Sequence, residues 1–160
     1  MGVGTRMQYI EAGDYKKVEP GYFWCEFLTG KQYSATYEFV HDTKPYWKPI
    51  SCWEGEQFRG SFTKFTRWIR SSYTPEVPRQ FNVLSDVKVI NVEFKGNQPF
   101  EVHLRNSPDP DYNELIPIWD EDIDAVDKIE SMIKQGYQYI ESHDDSNGFL
   151  KPARKGFPVR

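Results

Sequence analysis

Residues 87–105 constrain this chain more than any other stretch. VKVINVEF (87–94), the turn segment KGNQP and FEVHLR (100–105) set two runs of alternating apolar and polar residues around a glycine-containing turn. That is the signature of a β-hairpin. Strand side chains alternate between faces, so Ile90, Val92 and Phe94 share one face and Asn91 and Glu93 the other. Phe100, Val102 and Leu104 likewise oppose Glu101, His103 and Arg105. A three-residue turn at Gly96, Asn97 and Gln98 sets Glu93 opposite Glu101 and Asn91 opposite His103. One face is then wholly apolar, and the other gathers Asn91, Glu93, Glu101, His103 and Arg105.

Two carboxylates facing each other across a sheet repel, at up to ~1 kcal/mol when exposed. A cation between them reverses the sign, and Mg²⁺ commonly takes one or two carboxylates plus substrate phosphates. The same residues also fit a solvated outer face in which Arg105 neutralises one glutamate. Periodicity leaves both readings open.

Elsewhere the chain reads more unevenly. YFWCEFLTGKQYSATYEFV (22–40) predicts two strands around Thr29-Gly30-Lys31, from its alternation and its β-branched and aromatic content. Residues 41–49, with Pro45 and Pro49, read as a loop. Residues 50–73 fit helix and strand equally. Residues 80–86 form a short segment after Pro75 and Pro78, and 107–113 a proline-rich loop. After Trp119, an acidic start predicts a helix of about 15 residues. Asp120 is its cap, Gly136 its stop, and Ile123, Val126, Ile129, Met132 and Ile133 its core-facing stripe. Trp53, Trp68 and Trp119 read as core anchors. Residues 140–160 read as an irregular tail.

With 160 residues, 38% hydrophobic and 16% aromatic, the chain suits one domain (1–160) with a sizeable core. A formal charge of -4 supplies no global field for nucleic acid or acidic membrane. Two cysteines, Cys25 and Cys52, make neither a disulfide framework nor a zinc site, which suits a reducing, cytoplasmic setting. No apolar run reaches the ~20 residues of a membrane span, and the start lacks the apolar region of a signal peptide.

The string VEFKGNQPFEVHLR resembles the metal-binding hairpin of ATP-grasp enzymes, notably the biotin carboxylase and carboxylate–amine ligase branches. Glu93-Phe94 matches the acidic–aromatic end of one strand; Glu101 and Arg105 match the Glu-x-Asn-x-Arg of the next. His103 stands where that family has asparagine, and an imidazole nitrogen suits Mn²⁺ or Zn²⁺ better than Mg²⁺. FWCEFLTGKQYS resembles the adenine hinge, with Glu26 and Leu28 at the base and Gln32 in place of a ribose-binding glutamate. GVGTRM resembles the end of the glycine-rich phosphate loop, of which residues 1–7, with Gly2 and Gly4, would be a remnant. The resemblance implies an α+β fold, the C-terminal half of an ATP-grasp domain with an antiparallel sheet and packed helices. It further implies ATP and Mg²⁺ (or Mn²⁺) as cofactors, Glu93, Glu101 and His103 as metal ligands, and Arg105 and His103 on phosphate or substrate. The activity implied is that of an ATP-dependent ligase of a carboxylate with an amine or thiol, acting through an acylphosphate. Its substrate would be a small carboxylate or peptide. The family's upstream lysine would lie elsewhere in a longer protein, on a separate N-terminal half or other protein partner, or be lost in a reduced relative without turnover.

Two other readings are open. One is a non-catalytic interaction protein, viral or accessory, that keeps the scaffold. The other is a single-stranded nucleic-acid binder using Arg59, Lys64, Arg67 and Arg70 among Phe62, Phe65, Trp68 and Tyr73.

Overall fold

The computed structural model describes residues 13–14, 26–58, 64–107, 111–119, 122–141 and 154–160, the first two of the last segment as backbone alone. Nine strands and one α-helix are found among them: β1 (Gln32–Val40), β2 (Tyr46–Gln57), β3 (Phe65–Arg70), β4 (Val89–Lys95), β5 (Gln98–His103), β6 (Glu114–Leu115), β7 (Ile118–Trp119), α1 (Ala125–Lys134), β8 (Gln138–Glu141) and β9 (Arg154–Val159). The strands form a single antiparallel sheet in the order β5-β4-β1-β2-β3-β6-β9-β7, with β8 also paired to β9.

Alternation along β2 places two cores on opposite faces of this sheet. Cys52 belongs to a cluster with Tyr33, Ala35, Tyr37, Phe39, Trp47, Ile90, Val92 and Phe94. Its neighbour Trp53 points the other way, into a cluster with Tyr112, Leu115, Phe157 and Val159. The first cluster is roofed by Val77, Phe81, Leu84 and Val87, from and around the 3₁₀ segment Arg79–Leu84. Two buried polar tips tie that roof down. The Tyr37 hydroxyl donates to the Pro75 carbonyl at 2.6 Å, and Trp47 Nε1 to the Phe81 carbonyl at 3.2 Å.

Antiparallel sheet is therefore as expected, and packed helices are not. Among the described residues one ten-residue α-helix rests on β8 and β9, and the 3₁₀ segment Arg79–Leu84 lies over the first core. Residues 26–28, expected in a strand before Gly30, lie in no strand. The ambiguous stretch 50–73 contributes β-structure: most of β2, then β3. Pro49 sits inside β2 because the register shifts there, from Thr36 opposite Ser51 to Tyr37 opposite Pro49. Such a bulge accommodates a residue without an N–H. The tail expected to be irregular, 140–160, supplies the end of β8 and all of β9, whose Phe157 and Val159 complete the second core. The helix is shorter than expected. Its N-cap is Asp124 without a side-chain cap bond, Asp120 lies outside the described residues, and Gly136 does end it, at φ 91°. Of its apolar stripe only Met132 is buried, while Ile123, Val126 and Ile133 are exposed.

At the far end of the sheet, Glu114 is buried under three partners. Tyr137 donates to it at 2.7 Å, Arg160 Nη2 lies at 2.5 Å and Arg67 Nη1 at 3.8 Å. Burial pushes its carboxyl pKa upward, but the hydrogen bonds from Tyr137 and Arg160 and the two guanidinium charges outweigh this and leave it below its ordinary value. A depressed carboxylate stabilises the fold above its ordinary pKa and loses that contribution as pH falls through the lowered one. Thermal melts from pH 7 to pH 2 should show this acid limb. Arg160→Ala should move its onset to higher pH, because the carboxylate then protonates sooner.

Gly30 fixes how β1 enters beside the β4–β5 turn. Its φ is +109°, and a Cβ there would meet the backbone nitrogen of Gly96 at 3.2 Å. Gly96 N itself donates to the Lys31 carbonyl at 2.8 Å. Gly30→Ala is expected to cost about 1–3 kcal/mol in urea denaturation, since it combines backbone strain with a backbone clash.

Candidate metal centre

Glu93 and Glu101 face each other across β4 and β5, and Asn91 faces His103. The sequence pairing is thus correct, yet the turn that produces it differs. Lys95 pairs with Gln98 and Phe94 with Pro99, so only Gly96 and Asn97 make the turn. Continued unbroken, that register would set Glu101 opposite Val92, on the apolar face. A bulge intervenes between Glu93 and Phe94, and Phe100 is the extra residue. Bulges re-aim side chains in this way. Here one turns Glu101 onto the polar face beside Glu93.

The resulting cluster is tight. Glu93, Glu101 and His103 each offer one ligand atom, and the three atoms lie within 4.8 Å of one another. His103 Nε2 is 3.5 Å from Glu101 Oε1. Glu93 and His103 are half-buried and Glu101 is exposed, so the centre opens to solvent on one side.

Strand β1 supports the cluster from the other flank. Ser34 lies opposite Glu93, with Gln32 and Thr36 on the same face. Gln32 is only 6% exposed, and its Nε2 donates to Glu93 Oε2 at 2.9 Å. Asn91, 4% exposed, donates to Ser34 Oγ at 3.1 Å and to Thr36 Oγ1 at 3.3 Å. Polar groups this buried need partners, and they find them in one another. Hydrogen bonds of this kind hold a ligating carboxylate in one orientation.

Lys95 follows Glu93 by two residues on the same face, and its Nζ donates to Gln57 Oε1 at 2.8 Å. Its partial burial lowers its pKa, against the opposing pull of the Glu93 charge. Neither Lys95 nor Gln57 stood out in the sequence. The alternation that placed Glu93 on the polar face holds for Lys95 too, but Gln57 comes from β2, a strand the sequence left unassigned.

Other expected site residues are not brought to this centre. Arg105 lies past the end of β5, exposed, with Nη1 donating to the Asn106 carbonyl at 3.0 Å. Glu26 is exposed and Leu28 half-buried, in the non-strand segment ahead of β1. Gln32, expected at a ribose, instead holds Glu93. Gly2 and Gly4 lie outside the described residues. Phe100 and Val102 on β5, and Leu104 just past its end, are exposed, and β5 is the edge strand of the sheet.

The basic residues proposed for nucleic acid are engaged within the fold. Arg67 Nε donates to Glu56 Oε2 at 2.6 Å, Arg70 pairs with Asp111 and lies over Trp53, and Lys64 lies over the Trp119 ring. Arg59 and Phe62 are outside the described residues.

No protein-family model, curated protein or solved structure matches the chain.

Without an ion, the two carboxylates are juxtaposed at a cost. Glu101→Gln should therefore raise metal-free stability by up to ~1 kcal/mol in urea denaturation. A loss of stability instead would mean that the contact of Glu101 with His103 outweighs the repulsion between the two carboxylates.

Proposed function

We propose that this protein binds a divalent cation through Glu93, Glu101 and His103 and, by way of that ion, a phosphate-bearing ligand. Convergence of three ligand atoms within 4.8 Å carries the reading. Three protein ligands leave part of an octahedral shell free for phosphate oxygens or water. Two carboxylates and one imidazole suit Mn²⁺ better than Mg²⁺. Gln32 fixes one carboxylate, and Lys95 adds an ammonium group on the same face, where it complements an anion held by the metal.

Mg²⁺- or Mn²⁺-ATP is the ligand that the resemblance of this hairpin to ATP-grasp enzymes implies, and carboxylate–amine or carboxylate–thiol ligation through an acylphosphate is the activity. A bound ion would neutralise charge on the phosphates during transfer. The hairpin and its paired carboxylates support this identification. The segment expected at adenine adds nothing to it, since Glu26 and Leu28 lie off the sheet and Gln32 is committed to Glu93.

Isothermal titration and thermal melts with Mn²⁺ and Mg²⁺, each with and without ATP, test both levels. Mn²⁺ at a hundred times its Kd should stabilise the fold by about 2.7 kcal/mol. Glu93→Gln and His103→Ala should each abolish that gain, and ATP should bind only in the presence of the metal. Equal metal binding by parent and variants would remove the site. Metal binding with no ATP effect would leave a cation centre and dismiss the nucleotide.

A second reading, an interaction protein, is favoured by one observation: the apolar stripe of α1 that the sheet leaves uncovered.

A further inference from the structure

Helix α1 carries more apolar surface than the sheet covers. Ala125 and Met132 are buried against the body of the protein, and Ile129 is half-buried at the boundary. Beyond that boundary Val126 is 65% exposed and Ile133 51%, and Ile123, just ahead of the helix, is 104% exposed. Val126, Ile129 and Ile133 stand at i, i+3 and i+7, so they form one continuous ridge, and Ile123 extends it by a turn. This spacing is that of anchors by which one helix packs on another.

The solvent side of the ridge carries more acidic than basic groups. Asp124, Asp127 and Glu130 are exposed along it. Of the basic residues on the helix, Lys128 lies 3.8 Å from Asp122 and is partly spent there, which leaves Lys134 at the C-terminal end. The field around the ridge is therefore negative. Anionic lipid and nucleic acid are repelled by it. Residues 122–134 carry four carboxylates (Asp122, Asp124, Asp127, Glu130) against two ammonium groups (Lys128, Lys134), so a second copy would set two negatively charged stretches against each other. A basic apolar surface meets both the shape and the sign of charge.

We propose that α1 is a docking helix for a partner protein, which presents an amphipathic helix whose apolar face is flanked by Lys and Arg. The inference is independent of the cation centre, none of whose ligands lies on α1. Ile123, Val126 and Ile133 supply the anchors, and Asp124, Asp127 and Glu130 supply the charge that selects the partner.

The probe is a fluorescent synthetic peptide of Leu and Lys at amphipathic helical spacing, titrated with the full chain and followed by anisotropy. Binding should saturate and weaken about tenfold or more on raising salt from low to high ionic strength. Val126→Gln/Ile133→Gln, which keeps every charge and good helix formers, should lose binding about tenfold or more without lowering the melting temperature. Several results would overturn the proposal. They are no binding, equal binding by the double variant, and equal binding of a Leu/Glu peptide of the same pattern. A drop in melting temperature of the double variant would show that the ridge packs within the chain. Self-association on analytical ultracentrifugation that the double variant abolishes would instead assign the ridge to a second copy.

Discussion

One extra residue in β5 governs what this sheet can do. The turn at Gly96-Asn97 is as short as a hairpin allows, and short turns fix register firmly. Left alone, that register would put Glu101 among the apolar side chains that face Val92. Phe100 breaks it, so the last pairs of the hairpin obey one register and the pairs beyond obey another. Two features of the candidate centre follow from that shift: the facing carboxylates, and the imidazole opposite Asn91.

The bulge also explains why the hairpin was half legible. Alternation correctly assigns each residue of 90–94 and 101–103 to its face, because the period of two survives within each register. A three-residue turn and a two-residue turn with a bulge give the same pairing of Glu93 with Glu101, so pattern alone cannot separate them. What alternation does not reveal is the rest of the neighbourhood. Gln32, Ser34, Thr36 and Gln57 reach the centre through β1 and β2, over more than thirty intervening residues in each case. A local pattern has no access to pairings of that range.

The other departures share a cause. Expected loops turned out to be strand where tertiary pairing overrides local propensity. Pro49 is housed by a bulge on a flank of β2 that β3 does not reach, and the Gly- and Pro-containing end of the chain becomes β9 because Phe157 and Val159 fill the second core. In β9, Gly156 leaves no room for a side chain: a Cβ there would overlap the Tyr139 hydroxyl and come within 2.7 Å of the Ile140 carbonyl oxygen. A glycine that reads as irregularity in sequence is, in the fold, the place where the tip of a neighbouring tyrosine and a backbone carbonyl approach the strand. The apolar stripe of α1 misled in the opposite direction. Helical periodicity shows that a face is apolar, and only the packing shows whether the protein itself covers that face.

These features distribute apolar and polar burial unequally along the sheet. One face of β4 and β1 is packed with Tyr37, Ile90, Val92 and Phe94, all essentially inaccessible. Directly behind them, Gln32, Thr36 and Asn91 are nearly as buried and wholly polar. Apolar residues in those three positions would meet the requirements of packing more simply, since each buried amide and hydroxyl needs a partner that a methyl group does not. A sheet that keeps a satisfied polar layer under two facing carboxylates has given up stability at one place. Such local conflicts with the rest of a consistent fold are where function is to be sought. The polar layer has a geometric effect that an apolar one lacks: the Gln32 amide fixes one carboxylate oxygen of Glu93, and Asn91 locks Ser34 directly across from that residue. Glu93 is therefore oriented by the sheet itself, through groups that β1 supplies, before any ligand is involved.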